Sequence, residues 1–419
     1  MIEKAVLDNG LTVLTERMPN LRSISLGIWL KKGSRHEIGQ ENGISHFIEH
    51  LLFKGTQRRT GQEIAKAIDS IGGQIDAFTS KEYTCFYGKV LDEHLGVVLD
   101  LLSDIVLNPR FDPEDIEKER KVIFEEIRMV EDTPDERVYD LFSETFWRGH
   151  PLGLPIQGTL ESVGGLTPRH LRDFFRSSYQ PARMLISVAG NLDHQAATDQ
   201  IRKAFDPLKN GTPDVPTQPP QEIADVALQD KDSLEQVHLC LGVKAFPHSS
   251  EDRFPGYVLN TLLGGTMSSR LFQIIREEKG LAYSVYSSVS SYQDTGYLLV
   301  YAATGHDHSR QVVDLITKEF RRLKNETVSN QEIRDAKDHL KGSFMLSLES
   351  TSSRMSNLAR QEIYFGRQFT MEDILKGVES VSAEDVQALA NRLFNSRGCT
   401  LAALGKLSNL SITRGDLVF

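Results

Sequence analysis

The sequence predicts an α+β protein made of two homologous α/β sandwich domains, each a mainly antiparallel sheet covered by helices. The first observation is an internal repeat with an offset of about 215 residues. It relates a capped helix start at Thr167 to one at Ser382. It also relates a strand beginning at Met184 to one beginning at Cys399. Because matched helices and strands follow one another in the same order, the chain is best described as a duplicated α+β unit.

The second observation is a segment rich in proline between the copies. Five prolines fall within the fourteen residues from Pro207 to Pro220, which is typical of a stiff linker. A chain of 419 residues is also too long for a single core. We therefore predict a first domain over 1–206, a linker over 207–222 and a second domain over 223–419.

Composition and charge limit the classes of partner. The chain has 39% hydrophobic and 25% charged residues, typical of a globular protein. Its net charge of -10 disfavours nucleic acid and favours basic peptides. Three scattered cysteines predict free thiols in a reducing compartment. The first residues lack the pattern of a signal peptide, and no segment approaches the roughly 18 apolar residues of a membrane span. We therefore expect a cytoplasmic protein without membrane contacts.

The first element with recognisable chemistry is an apolar helix predicted over 44–53. Residues three and four apart share a helix face, so His46, Glu49 and His50 point the same way. Zinc takes two such imidazoles with a third protein ligand, and a catalytic site leaves the fourth position to water. The alternative is a chance grouping on a core-facing helix in a chain with 12 histidines.

Two strands and a long helix follow. Apolar and polar residues alternate on both sides of the turn near Ser80, which predicts a pair of strands. A strand beside the metal would bind an extended peptide along the sheet edge. The helix begins after Asp112 and continues to about Val130, with Glu119 and Glu126 two turns apart on one face. For any one of these acids the alternative is a solvated helix face.

The motif His46-Phe47-Ile48-Glu49-His50 has the order H-x-x-E-H, the inverse of a common metallopeptidase signature. With it, the chain resembles the pitrilysin/insulinase family of zinc peptidases, in the short-chain branch similar to mitochondrial processing peptidase. The resemblance implies one Zn²⁺ per chain, held by His46, His50 and a distal glutamate about 76 residues further on, at Glu126. It also implies Glu49 as general base and Glu119 as the group that orients a histidine ligand. Glu125 is separated from Glu126 by spacing alone.

A second matching block begins at Gly72-Gly73. The family carries Gly-Gly-x-x-Asn-Ala there, whereas this chain has Asp76 in place of asparagine. The resemblance implies that Asp76, Ala77 and Phe78 bind substrate. The departure at Asp76 puts a side-chain contact in doubt but leaves backbone pairing intact.

The second copy differs from the first at the metal helix. Residues 255–263 carry no ligand set. The resemblance implies instead that Arg276 and Tyr283 stabilise the oxyanion that forms when water attacks a peptide carbonyl. The alternative is an arginine on a helix face and a tyrosine in a core strand.

Substrate and assembly are implied less directly. In the processing-peptidase branch, acids near Glu136 and Asp140 receive basic residues of the substrate, although these acids could equally solvate a helix start. Since both the zinc ligands and the Arg276/Tyr283 pair are present, we expect a homodimer, with a heterodimer as the alternative. The predicted function is a zinc-dependent endopeptidase acting on peptides or unfolded segments, and the alternative is a non-catalytic peptide-binding or scaffold subunit.

Overall fold

The structure is a computed structural model, and it describes residues 2–208, 211, 217–395, 398–408 and 410–419. The chain divides into two compact units, each made of three segments. The first unit contains Met1–Arg128, Leu154–Gln218 and Leu346–Gln368. The second unit contains Met129–Gly153, Pro219–Met345 and Phe369–Phe419. Residues 209–210 and 212–216 of the predicted linker lie outside the described residues.

The strands of the first unit are β1 (Ile2–Val6), β2 (Thr12–Arg17), β3 (Ser23–Leu30), β4 (Gln74–Thr79), β5 (Thr84–Leu91) and β6 (Met184–Gly190). They form one sheet of order β1-β2-β6-β3-β5-β4. The pair β2/β6 is parallel and the other pairs are antiparallel. Strand β4 therefore lies at an edge of the described sheet, with β5 as its neighbour.

The strands of the second unit are β7 (Val226–Asp230), β8 (Gln236–Lys244), β9 (Ala282–Ser291), β10 (Gly296–Gly305) and β11 (Cys399–Gly405). Their order is β7-β11-β8-β10-β9, with β7/β11 parallel and the other pairs antiparallel. This order matches β2-β6-β3-β5-β4 strand for strand. The duplication and the mainly antiparallel sheets predicted from the sequence are confirmed.

The helices follow in chain order. They are α1 (Ile44–Leu52), α2 (Gly61–Asp69), α3 (Leu95–Leu107), α4 (Pro113–Asp132), α5 (Pro134–Phe146), α6 (Leu160–Gly165), α7 (Pro168–Ser178), α8 (His194–Phe205), α9 (Arg253–Asn260), α10 (Ser309–Asn325), α11 (Asn330–Ser347), α12 (Thr351–Phe365), α13 (Met371–Glu379) and α14 (Ala383–Leu393). Two π-helical turns, Thr261–Gly265 and Phe272–Glu278, follow α9. None of the described helices combines the length and the apolar character that a membrane span requires.

Each sheet is covered by helices on both faces. In the first unit, apolar residues of α1, α3, α4, α7 and α8 form the main core against one face. On the other face, Met355, Leu358 and Ala359 of α12 pack against Trp29 and its neighbours. In the second unit, α10 and α14 lie on one face, and α5 covers the other through Phe142 and Phe146. Both units thus have the layered core that the alternating strand residues require.

The repeats exchange one helix each. Helix α5 lies within the first repeat in sequence but packs in the second unit, and α12 lies within the second repeat but packs in the first. Both are amphipathic helices whose apolar residues are buried against the sheet they cover. The division at 1–206 and 223–419 describes the repeat in the sequence, whereas the compact units are built with this exchange.

Candidate active site

Helix α1 carries the H-x-x-E-H motif on its more open side. Phe47, Ile48 and the other apolar residues of the helix are buried in the core. Spacings of three and four place His46, Glu49 and His50 on the opposite side, where all three are half-buried. The local sequence pattern therefore sets both the orientation of the helix and the direction of the three polar groups.

The two imidazoles converge with one carboxylate of α4. His46 Nε2 lies 3.3 Å from His50 Nε2. Glu126 Oε2 lies 3.8 Å from the first of these nitrogens and 3.5 Å from the second. Two nitrogens bound to one tetrahedral zinc at 2.0–2.1 Å are separated by about 3.4 Å. The three side chains thus fit a metal ion, and they form such a group within the described part of the chain.

The protonation of His46 favours metal binding. Burial, together with the neighbouring His50, lowers the pKa of His46 to about 3. At neutral pH the ring is therefore uncharged, which is the form that coordinates metals.

Charged side chains lie beside the imidazole of His50. Glu119 is buried on α4, and its Oε2 lies 3.3 Å from His50 Nδ1. The other oxygen of Glu119 lies 2.7 Å from Lys54 Nζ. A carboxylate on the far nitrogen fixes the tautomer and the ring orientation of a histidine ligand. This is the place in which the resemblance puts Glu119.

The structure also separates Glu125 from Glu126. The side chain of Glu125 is 72% exposed and forms an ion pair with Arg128. Glu126 is turned by one helical position toward the two imidazoles. One residue along a helix rotates the side chain by about 100°, so both acids cannot face the same site.

Glu49 lies beside the three converging groups, and a residue of the sheet holds its side chain by a hydrogen bond. Thr79 Oγ1, at the end of β4, donates a hydrogen bond of 2.5 Å to Glu49 Oε2. Burial raises the pKa of Glu49 above its usual range, while the hydrogen bond from Thr79 acts in the opposite direction. A half-buried carboxylate with a raised pKa suits a general base.

A buried carboxylate anchors the start of α1. Glu37 accepts hydrogen bonds from the backbone of Gly43 at 2.8 Å and of Ser45 at 2.9 Å. Asn42 Nδ2 donates a third bond at 3.2 Å. Gly43 precedes the helix with a φ of 92°, a left-handed conformation that favours glycine. Burial raises the pKa of Glu37 to about 7 against these hydrogen bonds, which lower it.

The residues of β4 divide between the two faces of the sheet. Ala77 packs against the main core, on the same face as Thr79. Phe78 contacts Trp29 edge-to-face at 5.9 Å, on the face that α12 covers. Asp76 Oδ1 accepts a hydrogen bond of 2.8 Å from the backbone of Ala77. The side chains of Asp76 and Phe78 are therefore not brought to the face that carries Glu49, although the backbone of this edge strand runs past it.

Comparison with known proteins agrees with this geometry. A family model described as insulinase, peptidase family M16, matches residues 12–160. A model described as the peptidase M16 inactive domain matches residues 165–340. An uncharacterized zinc protease of Bacillus subtilis is 43% identical over 394 residues, which cover 94% of this chain and 96% of that protein. The chain belongs to the insulinase family, peptidase family M16.

Two further proteins are similar to this one over nearly the whole chain. An uncharacterized zinc protease of Mycobacterium leprae is 41% identical, with 94% of this chain and 89% of that protein covered. The crystal structure of a protease from Helicobacter pylori superimposes with a TM-score of 0.90 at 25% identity, covering 97% of this chain and 99% of that one. The insulinase-family assignment therefore extends over both repeats.

The second unit of this insulinase-family chain contains the arginine and tyrosine of the second repeat. Arg276 lies on the π-helical turn 272–278, and its guanidinium is 4.8 Å from the ring centroid of Tyr283 on β9. It is equally close to the ring of Phe272. Tyr283 is 78% exposed, so the alternative of a tyrosine buried in a core strand does not hold.

The two acids assigned to basic substrates lie on α5, which also belongs to the second unit. Glu136 is exposed and Asp140 is half-buried. Their role stays a prediction.

Sequence reasoning missed three neighbours of the candidate residues in this insulinase-family chain. They are Glu37 at the start of α1, Lys54 beside Glu119, and Thr79 beside Glu49. The sequence did indicate the direction of Thr79. It follows Ile75 and Ala77 in the alternation of β4, on the side of the strand that faces the core. No sequence pattern indicated Glu37 or Lys54, since their partners are set by tertiary packing.

Proposed function

We propose that the protein is a zinc-dependent endopeptidase with one zinc per chain and Glu49 as general base. The observation that carries the proposal is the convergence of His46, His50 and Glu126 beside a carboxylate that is not part of the ligand set. Three ligands leave one position of a tetrahedral zinc open, which distinguishes catalytic from structural sites. The relatives named as zinc proteases support the same assignment.

The chemistry follows from the side chains. Zinc, when bound, supplies a Lewis acid and lowers the pKa of a water molecule toward neutrality. Glu49 accepts a proton from the attacking water and passes it to the leaving amine. The edge of β4 offers backbone groups that would align an extended peptide as an added strand, which suits an enzyme that tolerates varied sequences.

The second repeat would supply the remaining groups. We propose Arg276 and Tyr283 as donors to the developing oxyanion, and Glu136 and Asp140 as acceptors for basic residues of the peptide. Their charges and the exposure of Tyr283 support these roles. Because one chain carries both sets, a homodimer could complete two equivalent sites, with a heterodimer as the alternative.

The rival function is a non-catalytic peptide-binding or scaffold subunit. Such a subunit needs neither the metal ligands nor a general base. Here His46, Glu49, His50 and Glu126 are all present, and three of them converge to metal-binding distances. The match to a family model described as an inactive domain concerns residues 165–340, which do not include this group.

Zinc analysis followed by a chelator experiment tests the proposal. Purified protein is expected to contain one zinc per chain and to cleave an unstructured peptide of mixed sequence. A chelator should abolish cleavage, and added zinc should restore it. Protein that holds zinc but cleaves no unstructured peptide, basic or neutral, would instead support the scaffold function.

A further inference from the structure

Thr79 is the described partner of the Glu49 carboxylate. The hydrogen bond from Thr79 Oγ1 to Glu49 Oε2 measures 2.5 Å, and both side chains are half-buried. Oxygen Oε1 of the same carboxylate has no hydrogen-bond partner among the described residues. One oxygen of Glu49 is thus held by the sheet, and the other is left for a reacting molecule.

The environment fixes Thr79 as the donor. An ionised carboxylate can only accept hydrogen bonds. A second hydroxyl, Thr84 Oγ1, lies 3.4 Å from Thr79 Oγ1. It donates its own proton to the backbone carbonyl of Lys32 at 3.1 Å. The backbone of Thr79 is held by its pairing with Thr84 across β4 and β5. The hydroxyl therefore has a fixed position and a fixed role.

We propose that Thr79 is a positioning residue that orients Glu49 for proton transfer. This inference rests on the proposed function and adds a residue of the edge strand to it. With Oε2 bound to Thr79, the proton taken from the attacking water is received on Oε1 and leaves from there to the amine. Thr79 keeps its own proton throughout.

The physical reason is the freedom of a glutamate side chain. Glu49 has three rotatable bonds, and a general base must lie within about 2.6–3.2 Å of the proton it accepts. Loss of the bond from Thr79 would let the carboxylate rotate away for part of the time. Substrate binding along the edge of β4 and the identity of the metal ligands would not change.

The test uses two substitutions at one position. Thr79→Val replaces the hydroxyl by a methyl group of nearly the same size, and Thr79→Ser keeps the hydroxyl. Thr15→Val is the matched control, since Thr15 is a buried strand threonine on β2 whose hydroxyl bonds His194 at 2.8 Å. Each variant is assayed for zinc content, kcat and KM, and crystal structures of zinc-loaded Thr79→Val and Thr79→Ser are compared with wild type.

We expect Thr79→Val to lower kcat by about 10- to 100-fold, the range typical of groups that orient the ligands of a metal site, with KM and zinc content unchanged. Thr79→Ser should recover most of kcat, and Thr15→Val should not lower it. In the crystal structure of Thr79→Val, the Glu49 carboxylate should be rotated or split between orientations. In Thr79→Ser it should be single.

Two results would overturn the proposal. One is a Thr79→Val enzyme with wild-type kcat, and the other is an unchanged, single Glu49 orientation in its crystal structure. Absence of cleavage by the wild-type protein would contradict the proposed function instead. In that case the crystallographic comparison still decides whether Thr79 orients Glu49.

Discussion

A single helical step separates the surroundings of the adjacent acids Glu125 and Glu126. Glu126 faces the two imidazoles, whereas Glu125 is exposed and paired with Arg128. We expect Glu126→Ala to lose zinc, because two imidazoles alone leave the ion without its third ligand. Glu125→Ala, the matched control, should retain one zinc per chain. Metal analysis of both purified proteins checks this, and equal zinc content in the two would contradict the ligand set.

The metal-free protein should become less stable in acid because of His46. Its pKa is about 3 in the fold and about 6.5 in an unfolded chain. Between these values the unfolded state binds a proton that the folded state does not, so stability rises with pH and is lost on acidification. From pH 7 to 5 the loss should be about 2 kcal/mol. Urea unfolding of the metal-free protein measures it, and His46→Gln should show a weaker pH dependence.

For single residues, distance along the chain determines whether the sequence predicts that they share a site. His46, Glu49 and His50 lie within five residues, so helix geometry alone predicts that they share a face. Glu126 depends on the packing of α4 against α1, and only family resemblance indicated it. Thr79 could not be assigned to Glu49, because the alternation of β4 shows which face it lies on but not which helix covers that face.

The exchanged helices approach their sheets at glycines of the equivalent strands β3 and β8. A side-chain carbon at Gly242 on β8 would lie 2.5 Å from the Phe142 ring of α5. A side-chain carbon at Gly27 on β3 would lie 2.4 Å from Met355 of α12. The two glycines lie on equivalent strands of the two units, although at positions two residues apart in register. Each repeat thus keeps a position of this strand open for the helix it receives.

Substitution at Gly242 should therefore destabilise the second unit. Gly242→Ala forces the buried ring of Phe142 to move, and overpacking of this kind typically costs about 1–3 kcal/mol. Gly39→Ala is the matched control, because nothing lies within 4 Å of the added carbon. Its effect should stay within about 0.5 kcal/mol. Thermal or urea unfolding compares the two, and equal stabilities would contradict close packing of α5.

The elements themselves were largely predictable, but their partners were not. The capped starts of α7 and α14 and the strands β6 and β11 are found where the repeat placed them. The internal repeat did not predict the exchange of α5 and α12. Both helices have an apolar face, and such a face does not specify which of two similar sheets it will cover.

For the molecule as a whole, the two repeats carry different chemistry on the same topology. The first holds the converging ligands and Glu49, and the second holds Arg276 against the ring of Tyr283. If the second repeat supplies oxyanion donors, Arg276→Ala and Tyr283→Phe should each lower kcat by about 100-fold or more. Zinc content should be unchanged. Arg334→Ala, an exposed arginine on α11, serves as control and should retain wild-type kcat.

The kcat values of these two variants can also contradict a catalytic role of the second repeat. Wild-type kcat in both Arg276→Ala and Tyr283→Phe would show that neither side chain takes part in catalysis.

The sequence alone predicted the duplication and the asymmetry between the copies, since residues 255–263 lack the ligand set. Whether two chains combine depends on surfaces that the repeat does not specify.

Glu49→Gln tests the claim that Glu49 is the base of a zinc peptidase. The amide has nearly the same shape, can still accept the hydrogen bond from Thr79, and cannot take a proton from water. Zinc content and cleavage of an unstructured peptide should be measured on the same purified samples as wild type. We predict one zinc per chain in both proteins and cleavage by wild type alone. Wild-type cleavage by zinc-loaded Glu49→Gln would contradict the claim.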